Sequence, residues 1–274
     1  MRRLGLVLLL VLAGCGNSSQ QPWLGYAEGE DAFISAPQPG WIAAIAVKRG
    51  DAVKEGDLLF TLDDTQQRAA RDEAKATLAL AAAQLTQSEA QLAYAAKELN
   101  RQSKLVQAHA GTKAALDLAQ NNYDGAKARV DEIIAQQRQA AAVLENAEYQ
   151  LSQRRIVARV AGRIEDIYFR QGEYAPASTP VISLLPPQNV FVRFFVPETE
   201  FGKVKMGQRV HIACDGCAED MTATITFIAQ QEEFTPPVIF SITNREKLVF
   251  KLEARAPGGL KLNPGQPVDV MPLP

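Results

Sequence analysis

Between Gln66 and Arg155 the apolar residues recur every seven positions, in two blocks. Leu78, Leu85, Leu92, Leu99 and Val106 form one line, with Ala74, Ala81, Ser88, Ala95 and Gln102 as companions. After a break, Leu116, Tyr123, Val130, Gln137, Leu144 and Leu151 repeat the spacing, and Ala119, Ala126, Ile133, Ala140 and Ala147 make the second line. Sustained heptads in two blocks predict an antiparallel coiled-coil hairpin and argue against a globular helix bundle. Alanine along one seam line lets the two helices approach closely. The link Ala108-His109-Ala110-Gly111-Thr112 supplies the stop and the start: Gly111 to end the first helix, Thr112 to N-cap the second. The arms come out at roughly 44 and 43 residues, each about 65 Å long. A hairpin of that length leaves its outer faces without a partner in its own chain, so its use is reach, or contact with other chains.

Proline follows the opposite pattern. Of 15 prolines, none lies between Pro39 and Pro176. A proline inside a helix costs about 3 kcal/mol, so the silent stretch is where straight helices can run. From residue 187 the sequence alternates in short apolar runs: Val190–Val196, Arg209–Ala213, Thr222–Ile228 and Lys247–Leu252 are strand candidates. Turn signals separate them at Met206-Gly207-Gln208, Asp215-Gly216, Pro257-Gly258-Gly259 and Asn263-Pro264-Gly265. This suits a small β-barrel over 187–274, to which Tyr26–Ile34 is expected to add a strand.

The hairpin is bracketed by a split repeat. At an offset of 122 residues, Ala36, Gly40, Ile42, Ile45 and Gly50-Asp51 match Ala158, Gly162, Ile164, Ile167 and Gly172-Glu173. The match continues from Leu59-Phe60-Thr61-Leu62 to Val181-Ile182-Ser183-Leu184. Half a unit of about 30 residues cannot bury a useful core, whereas two halves together can. The chain segments flanking the hairpin are therefore expected side by side. Segment 35–65 resembles the first half of a lipoyl/biotinyl-type β-sandwich, and 156–186 the second half. A true carrier of lipoate or biotin presents its modified lysine on the turn between the halves. Here the first half ends at Leu62-Asp63-Asp64-Thr65, without lysine, and the chain departs into the hairpin.

A lipoyl module split by a helical hairpin is characteristic of the HlyD-family periplasmic adaptors, or membrane fusion proteins, and this sequence resembles them over nearly its whole length. The resemblance implies an elongated, multi-domain α+β protein: a coiled-coil hairpin (66–155) inserted in a split lipoyl-like β-sandwich, followed by a β-barrel. It implies an adaptor linking an inner-membrane exporter to a TolC-like outer-membrane channel, assembled as a ring, typically of six. Adaptors that dock on such ducts often carry arginine, leucine, leucine and serine near the hairpin end. Arg101, Leu105 and Thr112 fall at matching places, while Gln102 stands where a leucine is expected. Physically, an arginine near a hairpin end can bond carbonyls or acidic groups on a partner. Segments 203–210 and 262–268 resemble adaptor barrel segments. Glu233-Phe-Thr-Pro-Pro-Val238 with Asn244-Arg245 resembles adaptors of ABC-type exporters more than those of proton-driven pumps. The alternative function is a lipid-anchored scaffold, or a carrier, with no export role.

The N-terminus reads as an address. Met1-Arg2-Arg3 is a basic n-region and Leu4–Leu12 an apolar stretch too short to span a bilayer, which fits a signal peptide over 1–14. Leu12-Ala13-Gly14-Cys15 resembles a bacterial lipobox, which implies that Cys15 is acylated and anchors the chain through a linker over 15–24. The resemblance places the protein in the periplasm of a Gram-negative envelope, on the inner membrane in preference to the outer. The charge changes one thing only: 29 basic against 31 acidic residues give no reason to expect a nucleic-acid partner.

Cys214-Asp-Gly-Cys217 fits a disulfide across a tight turn, a redox pair or half of a metal site. An oxidising compartment favours the disulfide. His109 and His211 are the two histidines, and there is no Gly-x-Ser-x-Gly, Walker-type loop or His-Glu-x-x-His. No enzyme activity, cofactor or metal site is expected.

Overall fold

The computed structural model describes residues 21–217, 220–234 and 248–273; the expected signal peptide, Cys15, and most of the 233–245 segment lie outside these residues. In chain order the strands are β1 (Trp23–Gly29), β2 (Ala32–Ser35), β3 (Gly40–Ile45), β4 (Ala52–Val53) and β5 (Leu58–Leu62). Helices α1 (Thr65–Gln107) and α2 (Lys113–Ser152) follow. Then come β6 (Arg155–Val157), β7 (Gly162–Ile167), β8 (Tyr174–Ala175), β9 (Pro180–Leu185) and β10 (Val190–Pro197). The short α3 (Glu198–Phe201) precedes β11 (Arg209–Ala213), β12 (Thr222–Phe234), β13 (Leu248–Arg255) and β14 (Pro267–Pro272). Two compact units result: residues 32–184, and the remainder from both chain ends.

The second unit is a closed barrel in the order β1-β10-β13-β12-β11-β14, antiparallel throughout. Alternation along β10 turns Val190, Val192, Phe194 and Val196 inward, where they pack with Val210, Ile212, Ile225, Leu252 and Val270. Trp23 stacks on Phe194 with ring centroids 5.8 Å apart, and its indole N–H donates to Glu200 of α3 at 2.6 Å. The sequence reading ran Tyr26–Ile34 as one barrel strand; the structure breaks it at Glu30-Asp31. β1 joins the barrel, whereas β2 pairs with β9, Ala32 opposite Leu184 and Ile34 opposite Ile182. Pairing within a different sheet, not local propensity, decides that division.

In the first unit two four-stranded sheets, β2-β9-β7-β4 and β6-β5-β3-β8, enclose Ile42, Leu59, Phe60, Leu62, Ile164, Ile182 and Leu184. The two half-motifs exchange strands: β3 pairs with β8, and β4 with β7. Their relation is a pseudo-twofold visible bond by bond. Ile42 N–H donates to Glu173 O (2.9 Å) and Gly172 N–H to Ile42 O (2.8 Å); across the offset, Ile164 N–H donates to Asp51 O (2.9 Å) and Gly50 N–H to Ile164 O (2.8 Å). Gly56 N–H to Ala158 O is likewise matched by Ser178 N–H to Ala36 O. Gly56 has φ +89° and its mate Ser178 has φ +61°, so a side chain occupies a left-handed position where the other half uses glycine.

One turn recurs in both units. At Lys48–Asp51, Lys54–Asp57, Arg170–Glu173, Lys205–Gln208 and Asn263–Gln266, the fourth residue's N–H bonds the first residue's carbonyl at 3.0–3.2 Å. The third residue is a glycine with φ between 79° and 89°, as a type II turn requires. In each, the Asp, Glu or Gln side chain at the fourth place accepts the first residue's N–H. Cys214–Cys217 repeats the backbone geometry, with Gly216 at φ +80° and Cys217 N–H on Cys214 O at 3.1 Å. There the first and fourth side chains are joined by a disulfide, with Cα atoms 5.3 Å apart.

The helices grow straight out of the sandwich. β5 and β6 pair antiparallel, Thr61 opposite Arg155, so the hairpin leaves and re-enters on adjacent strands. Arg154 Nη1 donates to Pro39 O at 2.9 Å, and Gln38 bonds Gln150, which ties the base of α2 to the first half. Along the seam Ala74, Ala81, Ala95, Ala119, Val130, Ile133 and Ala140 are buried. The leucine line of α1 is only half-buried, because two helices alone cannot enclose both seam lines.

Candidate docking tip

The hairpin ends in a five-residue loop that caps both helices. α1 stops at Gln107; His109 N–H then bonds Val106 O (3.0 Å) and Ala110 N–H bonds Leu105 O (2.8 Å). This is the crossed pair of a Schellman stop, and the left-handed residue within it is His109, with φ +56°. Gly111, expected to end the helix, does something else. A Cβ there would sit 3.1 Å from Leu105 Cβ and from Val106 N, so a side chain at 111 would press on the last turn of α1. Thr112 caps α2 as expected: its Oγ1 accepts Ala115 N–H at 3.2 Å.

Leu105 therefore packs beside the loop that carries Thr112, and Arg101 stands one turn before Leu105 on the same helix face. Arg101 is not a free cation. Its Nε and Nη2 donate to the two Glu98 oxygens at 2.9 and 2.6 Å, and Gln102 Nε2 donates to Glu98 Oε1 at 2.8 Å. The hydrogen bonds from Arg101 and Gln102 hold the Glu98 carboxyl below its usual range, and the Glu98 carboxylate raises Arg101 in turn. The docking pattern in the sequence names Arg101, Leu105 and Thr112; it does not name Glu98, and the sequence puts the helix stop at Gly111 where the structure uses His109. Glu98 had a signal, the i,i+3 spacing to arginine. His109 had none, since histidine carries no general mark of a helix stop.

At the other named positions, Cys214 and Cys217 flank their turn against the barrel core, with Gln266 Nε2 3.4 and 3.6 Å from the two sulfurs. Among the described residues, no three His, Cys, Asp or Glu side chains group as a metal site. No described helix is long and apolar enough to cross a membrane.

Comparison with known proteins agrees with this architecture. Residues 32–185 match the family described as "RND MFP, barrel-sandwich hybrid domain". The chain is 31% identical over 179 residues to the macrolide export protein MacA of Escherichia coli O157:H7, covering 64% of this chain and 48% of that one. It is 26% identical over 238 residues to the multidrug export protein EmrA of Escherichia coli K12, covering 73% and 61%. It thus spans about half to three fifths of the length of these curated relatives. The crystal structure of MacA from Actinobacillus actinomycetemcomitans superposes with a TM-score of 0.67 at 21% identity, covering 92% of this chain and 78% of that one. With more than half of its residues inside the family match and the same fold around the helical insertion, this chain belongs to the membrane fusion proteins.

Proposed function

We propose that this protein is a lipid-anchored periplasmic adaptor that joins an inner-membrane exporter to a TolC-like outer-membrane duct, for efflux of drugs or other small molecules. The observation that carries the reading is the hairpin. Helices of 43 and 40 residues rise about 60 Å from the sandwich, bury only one shared seam, and end in a loop with fully organised caps. Such a structure costs conformational entropy over some 80 residues, and reach with a defined end is what it supplies. The acylated Cys15 is the anchor, Arg101, Leu105 and Thr112 contact the duct, the barrel contacts the inner-membrane transporter, and the lipoyl-like sandwich domains pack into a homo-oligomeric ring, typically of six. The partner exporter is of the ABC type, on the resemblance of the 233–245 segment, with a proton-driven pump as the alternative. Transport energy comes from that partner, and the chain itself performs no catalysis.

Deleting the gene and measuring accumulation of a panel of fluorescent export substrates tests this. Loss of export, restored by the full-length gene and not by a Cys15→Ser copy, supports the reading. Unchanged export across the panel favours a lipid-anchored scaffold.

A further inference from the structure

We propose that Glu98 is the positioning residue of the hairpin tip: it fixes the Arg101 guanidinium so that the free N–H edge meets neutral carbonyl or hydroxyl oxygens of the duct. The proposal rests on the docking reading given above. Glu98 lies one turn before Arg101 on α1 and is the more protected of the two, with 29% of its side chain exposed against 65%. Contact at Nε and Nη2 occupies one edge of the planar fork and thereby sets its plane. The edge formed by Nη1 and the outer hydrogen of Nη2 is left facing solvent, with no partner among the described residues. Gln102 steadies the carboxylate through the same Oε1 that accepts Arg101 Nη2. It occupies a seam position and is itself half-buried, so the carboxylate is tied to the packed part of the hairpin.

As an exposed i,i+3 ion pair, this contact adds little to stability. Its consequence is orientation. An unheld arginine samples many rotamers, and binding must freeze them; here the side chain is held before the partner arrives. Charge then selects the partner. Glu98 already balances Arg101, so repulsion from Glu98 would offset part of what a duct carboxylate gains at the free edge. Carbonyl and hydroxyl oxygens accept the same two N–H groups without that repulsion. Gln102, at the place where the family pattern has leucine, adds a hydrogen bond to this carboxylate that a leucine would not supply.

The test uses the full-length adaptor and the purified TolC-type duct of the same organism, with affinity measured at 0.1 and 0.5 M salt. Arg101→Ala sets the scale of the loss. Glu98→Gln is expected to weaken docking about three- to tenfold. The double variant is expected to be no weaker than Arg101→Ala alone, since Glu98 acts through the arginine. Wild-type affinity should change by less than about twofold between the two salt concentrations, because the contact carries little net charge. In the free adaptor, the Arg101 Nε–H signal in NMR should be protected from exchange and lose that protection in Glu98→Gln, with helix content unchanged. Docking by Glu98→Gln as tight as wild type, additive losses in the double variant, a steep salt dependence or an unaltered Nε–H signal each overturn the proposal. Wild-type docking by Arg101→Ala overturns the docking reading itself, and Glu98's role with it.

Discussion

The pseudo-twofold of the sandwich gives a paired experiment in which each half is the control for the other. Gly56 and Ser178 occupy equivalent places, donate equivalent N–H bonds at 2.8 and 3.1 Å, and both have positive φ. For serine, the left-handed conformation costs about 1–2 kcal/mol relative to glycine. Glycine gives back part of that through the greater freedom of its unfolded chain, about 0.4–1 kcal/mol. Ser178 is exposed, so little packing is lost when its side chain is removed. The net expectation for Ser178→Gly is a gain of about 0.5–1 kcal/mol, and for Gly56→Ser a loss of similar size. Urea unfolding followed by near-ultraviolet circular dichroism reads both. A domain of this size should shift its melting temperature by about 1–4 °C in opposite directions. If the two substitutions change stability with the same sign, the equivalence of the two sites is refuted.

Thr112→Ala removes the hydroxyl that caps Ala115 N–H and should lower hairpin stability by about 1 kcal/mol in thermal unfolding, while Thr112→Ser should restore it. Replacing Cys214 and Cys217 together by serine opens a loop of only four residues, so the barrel should lose no more than about 2 kcal/mol in urea unfolding. Asp63 accepts from the Thr65 hydroxyl and N–H at the start of α1, and these bonds hold its carboxyl below its ordinary value. Its stabilising contribution is therefore complete above the unfolded pKa, near 4, and fades as pH falls through the lower folded value. Asp63→Asn should flatten that part of the melting-temperature profile below about pH 4.

The fold was legible in the sequence wherever a period or a repeat imposed it. The heptads set α1 and α2, and the 108–112 link separates the observed helices to the residue, because a seam line tolerates no shift of phase. The 122-residue offset carried the reciprocal bonds of Ile42 and Ile164, since matching glycine turns fix matching strand ends. Legibility failed where a distant pairing decided. Nothing between Tyr26 and Ile34 announces that the run is shared by two sheets; only β9, some 150 residues later, takes Ala32–Ser35. At the tip the sequence points to Gly111 as the stop, because glycine is the usual left-handed residue. The chain uses His109 there and needs Gly111 for close approach to Leu105. The cysteine pair was ambiguous as a spacing and became plain only as one more copy of a turn used throughout the molecule.

Photo-crosslinking in living cells tests the central claim most directly. A photoreactive amino acid at position 105 should give an adduct with the outer-membrane duct, and Arg101→Ala in the same chain should abolish it while folding and export to the envelope are retained. If position 105 gives no duct adduct, or the adduct persists unchanged when Arg101 is lost, the hairpin tip is not the docking site and the account fails at its main point.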